Sequence, residues 1–426
     1  MLADMQRARA LAWELPALGW DVEILTPAAV EVRQDAIEPN GDGFFAADTP
    51  VHEVHTWFPV LFRLLSLQSG PWRWWLPMFW RGRALLASGR FDLIYFSTTC
   101  FNLVTLGRVW KREFGVPYVI DFQDPWALPN YGFPRTGWKA RLSARLDPIM
   151  EKTAVLNAAG IVAVSDSYIA MLTKQYAARS PICLSDSRRA VIPFCALERD
   201  FAEADGECSD TETRRSGELA LHYVGAGPMM RKSFSLICQT LSYLRSRGDD
   251  LAQRVRIRLF GTGVTGQRTG ITPLVAAACE FGIGDLVEEQ PERIPYRRAL
   301  ELVLKGDGLL ILGVDDAGYV PSKLISYALS GKPLLASLRK DGAAYNQLQA
   351  SPQLGFSLWF DATGPMPLKD AATIMRHFLK EVADRTRFDR RGMLKGYLGP
   401  AMARRHVEIF EACLASQKKC AVDGAA

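Results

Sequence analysis

The chain has 426 residues, of which 48% are hydrophobic and 23% charged, a composition typical of a globular protein large enough for two domains. A formal net charge of +5, with no Lys/Arg run longer than three, argues against a nucleic-acid partner. No apolar run reaches the roughly 18 residues that a membrane span needs. Eight cysteines without C-x-x-C spacing indicate reduced thiols in a cytoplasmic protein, and neither a metal site nor a cofactor is predicted.

The N-terminal segment predicts a helix before the first strand. Residues 2–18 have helical composition, and residues 21–25 alternate as a strand does. Doubly wound α/β domains usually open with a strand, so this order is unusual. Residues 26–50 are rich in Pro, Gly and Asp and are predicted to form a loop.

Residues 57–86 combine tryptophan with arginine, most densely in P-W-R-W-W-L-P-M-F-W-R-G-R. This combination suits a lipid headgroup interface, because indole rings favour the apolar boundary and guanidinium groups bind phosphate. The alternatives are a Trp-rich packing helix and a protein interface. The first hypothesis makes the protein peripheral on the inner face of the plasma membrane. Its candidate membrane or acceptor residues are Trp72, Arg73, Trp74, Trp75, Trp80 and Arg81.

A regular α/β alternation begins near residue 91, with strands at 92–96 and 118–121 and a helix at 103–114. The second of these strands runs into D-F-Q-D-P-W at 121–126. Open α/β sheets place ligands at such strand ends, so Asp121 and Asp124 are candidates to orient an acceptor hydroxyl. The alternative is a structural turn before Pro125.

The second half of the chain opens with a strand, a glycine loop and a helix. Strand 219–224 leads into Gly225-Ala-Gly-Pro-Met-Met-Arg-Lys232, and backbone N–H groups in such loops bind phosphate well. Gly225, Gly227, Arg231 and Lys232 are therefore candidate phosphate ligands. A lone G-x-G is a weak signal, and a solvated basic pair remains the alternative.

The stretch 319–333, Y-V-P-S-K-L-I-S-Y-A-L-S-G-K-P, lies between two apolar runs. Leu324, Tyr327 and Ala328 follow helical spacing, and Gly331 suits a helix C-terminus. The segment predicts a strand, a loop, a short helix and a second strand. Ser322 and Lys323 then lie at a helix N-terminus, which is a site for an anion. The alternative is an ordinary crossover with a solvated lysine.

P-S-K-L-x-x-Y-x-x-x-G-K-P resembles a signature of retaining GT-B glycosyltransferases of the group-1, family-4 type. D-F-Q-D-P-W is similar to D-F-R-D-P-W, and L-P-A-L-G-W-D-V at 15–22 to the end of the family's first helix. The resemblance implies two Rossmann-like, doubly wound domains facing a cleft. The family's first strand and glycine loop are missing, which indicates either a misplaced start or a true loss. The expected parts are an acceptor-side domain (1–200), a linker (201–217), a donor domain (218–398) and a terminal helix (399–426) crossing back.

The resemblance further implies transfer of a sugar from a nucleotide-sugar to a surface polysaccharide or lipid-linked acceptor, with retention and without a metal. Lys232 and Lys323 would stabilise the leaving diphosphate, and Asp121 and Asp124 would face the acceptor. The donor-binding residues it implies are Gly225, Gly227, Arg231, Lys232, Asp316, Tyr319, Pro321, Ser322, Lys323 and Ser326.

The sequence departs from the family pattern at several of these positions. Gln123 and Ala226 stand where arginines are expected, and Gly318 and Ser326 where glutamates are expected. Asp315 or Asp316 is predicted to take the role nearest the sugar. The alternative is a degenerate GT-B protein that binds a nucleotide-sugar or a partner transferase without turnover.

Overall fold

The computed structural model describes residues 3–28, 31, 45–46, 48–58, 60, 72–127, 138–179, 181–201, 217–263 and 272–423. Most of the predicted loop 26–50 and nearly all of the predicted linker 201–217 lie outside these ranges. The chain forms two compact units, Met1–Pro193 with Gly399–Ala426, and Phe194–Leu398.

The first unit alternates helices and strands from its first helix onward. Its elements up to residue 193 are α1 (Ala3–Glu14), β1 (Ile24–Pro27), β2 (Val51–Val54), α2 (Trp72–Leu86), β3 (Ile94–Ser97), α3 (Thr105–Phe114), β4 (Tyr118–Phe122), α4 (Trp138–Asn157), β5 (Gly160–Ala163), α5 (Asp166–Tyr176) and β6 (Arg189–Val191).

Two parallel sheets make up the first unit. Strands β3, β4, β5 and β6 pair in sequence order, whereas β1 and β2 form a separate pair. Every residue of β4 and β5 is buried, as expected of central parallel strands made of continuous apolar runs. Within the described ranges, α1 comes first and no strand precedes it. Arg90, just before β3, forms an ion pair with Glu23, just before β1.

The second unit continues the α/β alternation. Its elements are β7 (Leu219–Val224), α6 (Arg231–Ser246), α7 (Asp250–Arg254), β8 (Val255–Phe260), α8 (Pro273–Glu280), β9 (Val287–Gln290), α9 (Tyr296–Lys305), β10 (Gly308–Leu312), α10 (Leu324–Leu329), β11 (Leu334–Arg339), α11 (Ala343–Ala350), β12 (Phe356–Phe360), α12 (Leu368–Ala383) and α13 (Arg391–Leu394). The last helix, α14 (Gly399–Asp423), belongs to the first unit and packs against α1, β5 and β6.

The sheet of the second unit has six parallel strands in the order β12-β11-β10-β7-β8-β9. Strand β10, Gly-Leu-Leu-Ile-Leu, lies at the centre of this sheet and is buried along its whole length. Helices cover both faces of the sheet. The strand order reverses between β7 and β10, because β8 and β9 extend one way and β11 and β12 the other. Open parallel sheets bind ligands at the carboxyl ends of the strands beside such a reversal.

Candidate functional site

The carboxyl ends of β7 and β10 meet at this reversal point. The glycine loop 225–230 follows β7, and the segment 313–323 follows β10. The two stretches predicted to bind the donor therefore lie at one edge of one sheet. Gly225 and Tyr319, which belong to these stretches, are 94 positions apart in the chain.

Backbone hydrogen bonds hold the glycine loop against the end of β8. The N–H of Gly225 donates to the carbonyl of Phe260 at 2.8 Å, and that of Gly227 to the carbonyl of Thr262 at 2.9 Å. A β-carbon on Gly227 would lie 2.9 Å from both the side chain and the carbonyl oxygen of Thr262. Glycine at 227 thus allows the close approach to Thr262, and the N–H groups of both glycines are used within the protein instead of pointing to a phosphate.

Lys323 lies beside this loop. Its Nζ is 5.6 Å from the centroid of the Tyr223 ring, and a β-carbon on Gly225 would collide with it. Burial, and secondarily the charge of Arg293, lower the pKa of Lys323 to about 8. None of the carboxylates that the structure describes forms an ion pair with it. A desolvated ammonium group of this kind favours an anionic ligand.

Arg293 is a second cation at the site, and the sequence analysis did not select it. It follows β9, whose end is tied to the glycine turn after β8 by bonds from Gly261 to Gln290 and from Gly263 to Pro291, both 2.8 Å. Within the described ranges Arg293 has no carboxylate partner. A basic residue just past a strand's carboxyl end is the sequence signal that points to it.

Lys232, in contrast, already has protein partners. Its Nζ donates to Oδ2 of Asp315 at 2.8 Å and to the carbonyl of Asp361 at 3.2 Å. The ring centroid of Phe360 lies 5.0 Å away. Arg339 donates to the other oxygen of Asp315 at 3.0 Å. These side chains are largely exposed, so the pairs are weak and an anionic ligand can displace the aspartate.

Asp316 offers an unused acceptor in the same segment. Its Oδ1 accepts the N–H of Gly318 at 3.0 Å, while its Oδ2 is buried without a hydrogen-bond partner within the described ranges. Buried polar atoms are normally satisfied, so this oxygen is suited to a ligand hydroxyl. Arg231, by comparison, forms an ion pair with Glu280.

The segment 319–326 differs in one detail from its prediction. Helix α10 begins at Leu324, whose N–H donates to Pro321 at 3.1 Å, so Ser322 and Lys323 precede the helix. A helix of six residues has little macrodipole, so the positive charge here comes from side chains. Tyr319 packs partly buried against the core, and Ser326 is half-buried on α10.

In the first unit, Asp121 is buried instead of facing an acceptor. It forms an ion pair with Nε of Arg7 at 3.1 Å and accepts a hydrogen bond from Gln123 at 2.5 Å. Arg7 also donates to the carbonyl of Ile192 at 2.7 Å. The ion pair of Asp121 with Arg7 therefore links β4 to α1. The acceptor role predicted for Asp121 does not fit a side chain that is buried in this way.

His406 of α14 completes this buried cluster. Its Nδ1 contacts the carbonyl of Met402 at 2.8 Å, and its Nε2 contacts the hydroxyl of Tyr95 at 3.1 Å. Burial, and then the charge of Arg7, lower the pKa of His406 to about 3. The imidazole is therefore neutral, and it accepts the tyrosine hydrogen while donating to the carbonyl.

Asp124 lies half-buried in the loop after β4 and is better placed than Asp121 to contact a ligand. The end of that loop is fixed by Glu151, which accepts from the N–H of Ala127 at 3.0 Å and from the hydroxyl of Tyr176 at 2.8 Å. Burial raises the pKa of Glu151. The loop is thus anchored behind Asp124.

The six Trp and Arg side chains of α2 that were predicted to contact a membrane or an acceptor differ in their exposure and in their protein partners. Trp74 is only 8% exposed, and its Nε1 donates to Glu31 at 2.9 Å, so its proposed contact with a membrane is ruled out in this conformation. Trp72 and Trp80 are 41% and 45% exposed. The remaining three are held by protein partners: Arg73 by the carbonyl of Glu31, Trp75 by Thr105 and Arg81 by His52.

The comparisons with known proteins agree with this architecture. Residues 5–184 match the family model described as glycosyl transferase 4-like domain. No curated protein matches the sequence. Among the described residues, no helix is both long and apolar enough to cross a membrane.

Solved structures share the fold over nearly the whole chain. Sucrose-phosphate synthase from Thermosynechococcus elongatus is 14% identical, with TM-score 0.55, over 99% of this chain and 92% of its own. A glycosyltransferase from Rickettsia africae is 12% identical, with TM-score 0.54, over 96% and 94%. The UDP-forming α,α-trehalose-phosphate synthase from Burkholderia vietnamiensis is 10% identical, with TM-score 0.53, over 92% and 100%. At these identities the likeness concerns the fold, which is GT-B with two Rossmann-like units. With the domain match, it supports an enzyme of the glycosyltransferase class.

Proposed function

We propose that this protein transfers a sugar from a nucleotide-sugar to a polysaccharide or lipid-linked acceptor, with the second unit binding the donor. The observation that carries the proposal is Lys323, which lies beside the glycine loop at the reversal point of the sheet and forms no ion pair with a described carboxylate, with the charge of Arg293 close enough to lower its pKa. A diphosphate has the charge to bind between such cations.

The proposed chemistry is electrostatic stabilisation of the leaving group. As the bond from the sugar to the diphosphate breaks, negative charge grows on the phosphate oxygens. Lys323 and Arg293 are positioned to neutralise it, and Lys232 can join them once it leaves Asp315. Three cations supply the charge that a metal provides elsewhere, which supports a metal-independent reaction. Retention of configuration rests on the resemblance of the segment 319–333 to retaining enzymes.

The sugar itself is proposed to bind near Asp316. Its buried, unsatisfied Oδ2 can accept a hydrogen bond from a sugar hydroxyl, the role for which the family uses a glutamate that is absent here. On the acceptor side, Asp124 is the remaining candidate of the D-F-Q-D-P-W motif. The exposed Trp72 and Trp80 support an acceptor held at the inner face of the plasma membrane.

The first experiment is a thermal-shift series with UDP, GDP, ADP, TDP and CMP. A ligand at 100 times its Kd adds about 2.7 kcal/mol of stability. We expect one nucleotide to stabilise the wild type and to stabilise Lys323→Met much less. Lys369→Met, which removes an exposed lysine from α12 of the same unit, is the matched control and should behave as wild type. Failure of every nucleotide to stabilise the folded protein contradicts the donor site.

A second experiment separates transfer from binding alone. The pairing of Lys232 with Asp315, and the alanine at 226, favour the alternative of a GT-B protein that binds without turnover. The nucleotide-sugar matching the selected nucleotide should be hydrolysed slowly by the wild type even without acceptor. Tight nucleotide binding with no hydrolysis and no transfer to glycolipid extracts would favour the binding protein.

A further inference from the structure

Helix α4 carries an exposed apolar stripe that the sequence analysis did not single out. Leu142, Leu146 and Ile149 are 48%, 37% and 62% exposed, and their spacing of four and three residues places them on one face. A helix of a soluble domain normally buries such a stripe, so its exposure calls for an occupant.

The charges on the same helix indicate what that occupant is. Arg141, Arg145 and Lys152 are all exposed. The two carboxylates of α4 do not offset them at the surface, because Glu151 is buried and Asp147 is half-buried. Exposed leucine and isoleucine flanked by cations is the pattern of helices that lie in the headgroup region of anionic membranes.

The stripe belongs to a larger basic layer of helices. Helix α3 packs against both α2 and α4. Their sequences together hold ten Lys and Arg and three Asp and Glu, whereas the whole chain holds 51 and 46. The three helices thus carry more net positive charge than the entire protein, and the remainder of the chain is slightly acidic.

The exposed face of α2 continues this character. Trp72, Leu76 and Trp80 are exposed at intervals of four residues, and Trp74 and Met78 are buried on the opposite side. On α3, Val109 is exposed as well. The three neighbouring helices thus all expose apolar side chains, in addition to their basic ones.

We propose that the layer α2–α4 docks on the surface of an anionic phospholipid bilayer, with Leu142, Leu146 and Ile149 inserted below the headgroups. Arg141, Arg145 and Lys152 then contact lipid phosphates. The proposal concerns binding to lipid and stands apart from the donor site in the second unit. Inactive protein that still binds vesicles would separate failure of the proposed function from failure of the docking surface.

The test is sedimentation of the full chain with vesicles of phosphatidylcholine and phosphatidylglycerol, and with vesicles of phosphatidylcholine alone. The wild type should bind the anionic vesicles, and rising salt should weaken binding. Ile149→Gln should reduce the partition coefficient about tenfold, because one large apolar side chain no longer inserts. The triple variant Leu142→Gln, Leu146→Gln, Ile149→Gln should abolish binding, and Arg145→Gln should reduce it about fivefold.

Matched controls come from the second unit. Met393→Gln removes an apolar side chain of similar exposure, 40%, and Lys369→Gln removes an exposed cation. Both should bind vesicles as the wild type does. Because all substituted side chains are exposed, thermal unfolding should be unchanged, which separates lost binding from lost folding.

Two results would overturn the proposal. The first is equal binding of the triple variant and the wild type, or equal binding to neutral and anionic vesicles. The second is a wild type that dimerises without lipid while the triple variant is monomeric, since the stripe would then be an interface between two copies of the chain.

Discussion

The side-chain nitrogen of Lys323 occupies the space that a β-carbon on Gly225 would need. The glycine directly follows the first strand of the second unit, and the lysine lies just before α10, three crossovers later. The ammonium group therefore lies beside the loop that follows β7. Its Nζ is also 5.6 Å from the centroid of the Tyr223 ring.

Gly225→Ala should therefore displace Lys323 and weaken nucleotide binding. We expect a loss of about tenfold in affinity, comparable to removal of one charge-assisted hydrogen bond of about 1.5–3 kcal/mol. Titration calorimetry with the nucleotide selected by thermal shift measures it. The control is Gly392→Ala, because a β-carbon there meets nothing within 4 Å and the backbone is not left-handed. Unaltered affinity in Gly225→Ala would mean that Lys323 does not bind the ligand.

Nucleotide binding should depend on pH through Lys323. Its pKa of about 8 means that the ammonium form dominates below pH 8 and is lost above it. The affinity for a diphosphate should fall by up to about tenfold per pH unit above pH 8. Lys323→Met should bind weakly at all these pH values. A wild-type affinity that is flat from pH 7 to about pH 9.5 would contradict the assignment.

Without ligand, the free energy of unfolding should rise with pH, whereas the nucleotide affinity should fall. The folded-state pKa of Lys323 lies below the unfolded value of 10.5, so the unfolded chain binds more protons between these two values. The unfolding free energy should thus rise as the pH increases from about 8 to 10.5. At pH 7 Lys323→Met should be more stable than the wild type by about 2–3 kcal/mol, a gain that disappears above pH 10.5. Urea unfolding at both pH values measures it.

The sequence predicts the sheets well because parallel central strands are continuous apolar runs. Strand β7 begins and ends where predicted, at Leu219–Val224, and the wholly buried β4 extends only one residue beyond the predicted 118–121. The predicted helix N-terminus at Ser322 and Lys323 comes slightly before the start of α10 at Leu324, because Pro321 suits both a first helical turn and the turn that comes before one. Local sequence cannot separate these two cases.

The sequence predicts the site only in part, because tertiary contacts decide which of its charged side chains are paired or buried. The glycine loop and Lys323 are found by motif, but Arg293 lies in a loop, and its relevance comes from the effect of its charge on the pKa of Lys323. Asp121 is misleading for the same reason, since its partner Arg7 lies 114 positions earlier in the chain. In α2, helical spacing alone separates exposed Trp72 and Trp80 from buried Trp74.

Asp315 should compete with a nucleotide for Lys232. Replacing it by Asn removes the charge that pairs with Lys232 and Arg339. We expect the nucleotide affinity of Asp315→Asn to rise about threefold to fivefold at low salt, as befits exposed pairs worth up to about 1 kcal/mol. Turnover should change little if Asp316 is the residue that contacts the sugar. Asp316→Asn should instead lower kcat and leave nucleotide affinity near the wild-type value.

The opposite pattern would reassign the roles of the two aspartates. If Asp315→Asn abolishes transfer and Asp316→Asn does not, Asp315 is the residue that faces the sugar. The control for charge removal in this unit is Asp285→Asn, because Asp285 also pairs with an arginine, Arg245, in an exposed position but lies after α8, away from the loop 313–323. Asp285→Asn should leave both kcat and the nucleotide affinity unchanged.

The ion pair between Arg7 and Asp121 should contribute to the stability of the fold and not to catalysis. Both side chains are fully buried, so Asp121→Asn leaves the arginine charge uncompensated, and we expect a loss of about 3–5 kcal/mol in unfolding free energy. Arg7→Gln should cost a similar amount, and the double variant less than the sum of the two. Urea unfolding of the three variants measures this coupling. Asp124→Asn, half-buried on the same loop, should lose activity while keeping most of its stability. A stable Asp121→Asn without activity would restore Asp121 as the acceptor residue.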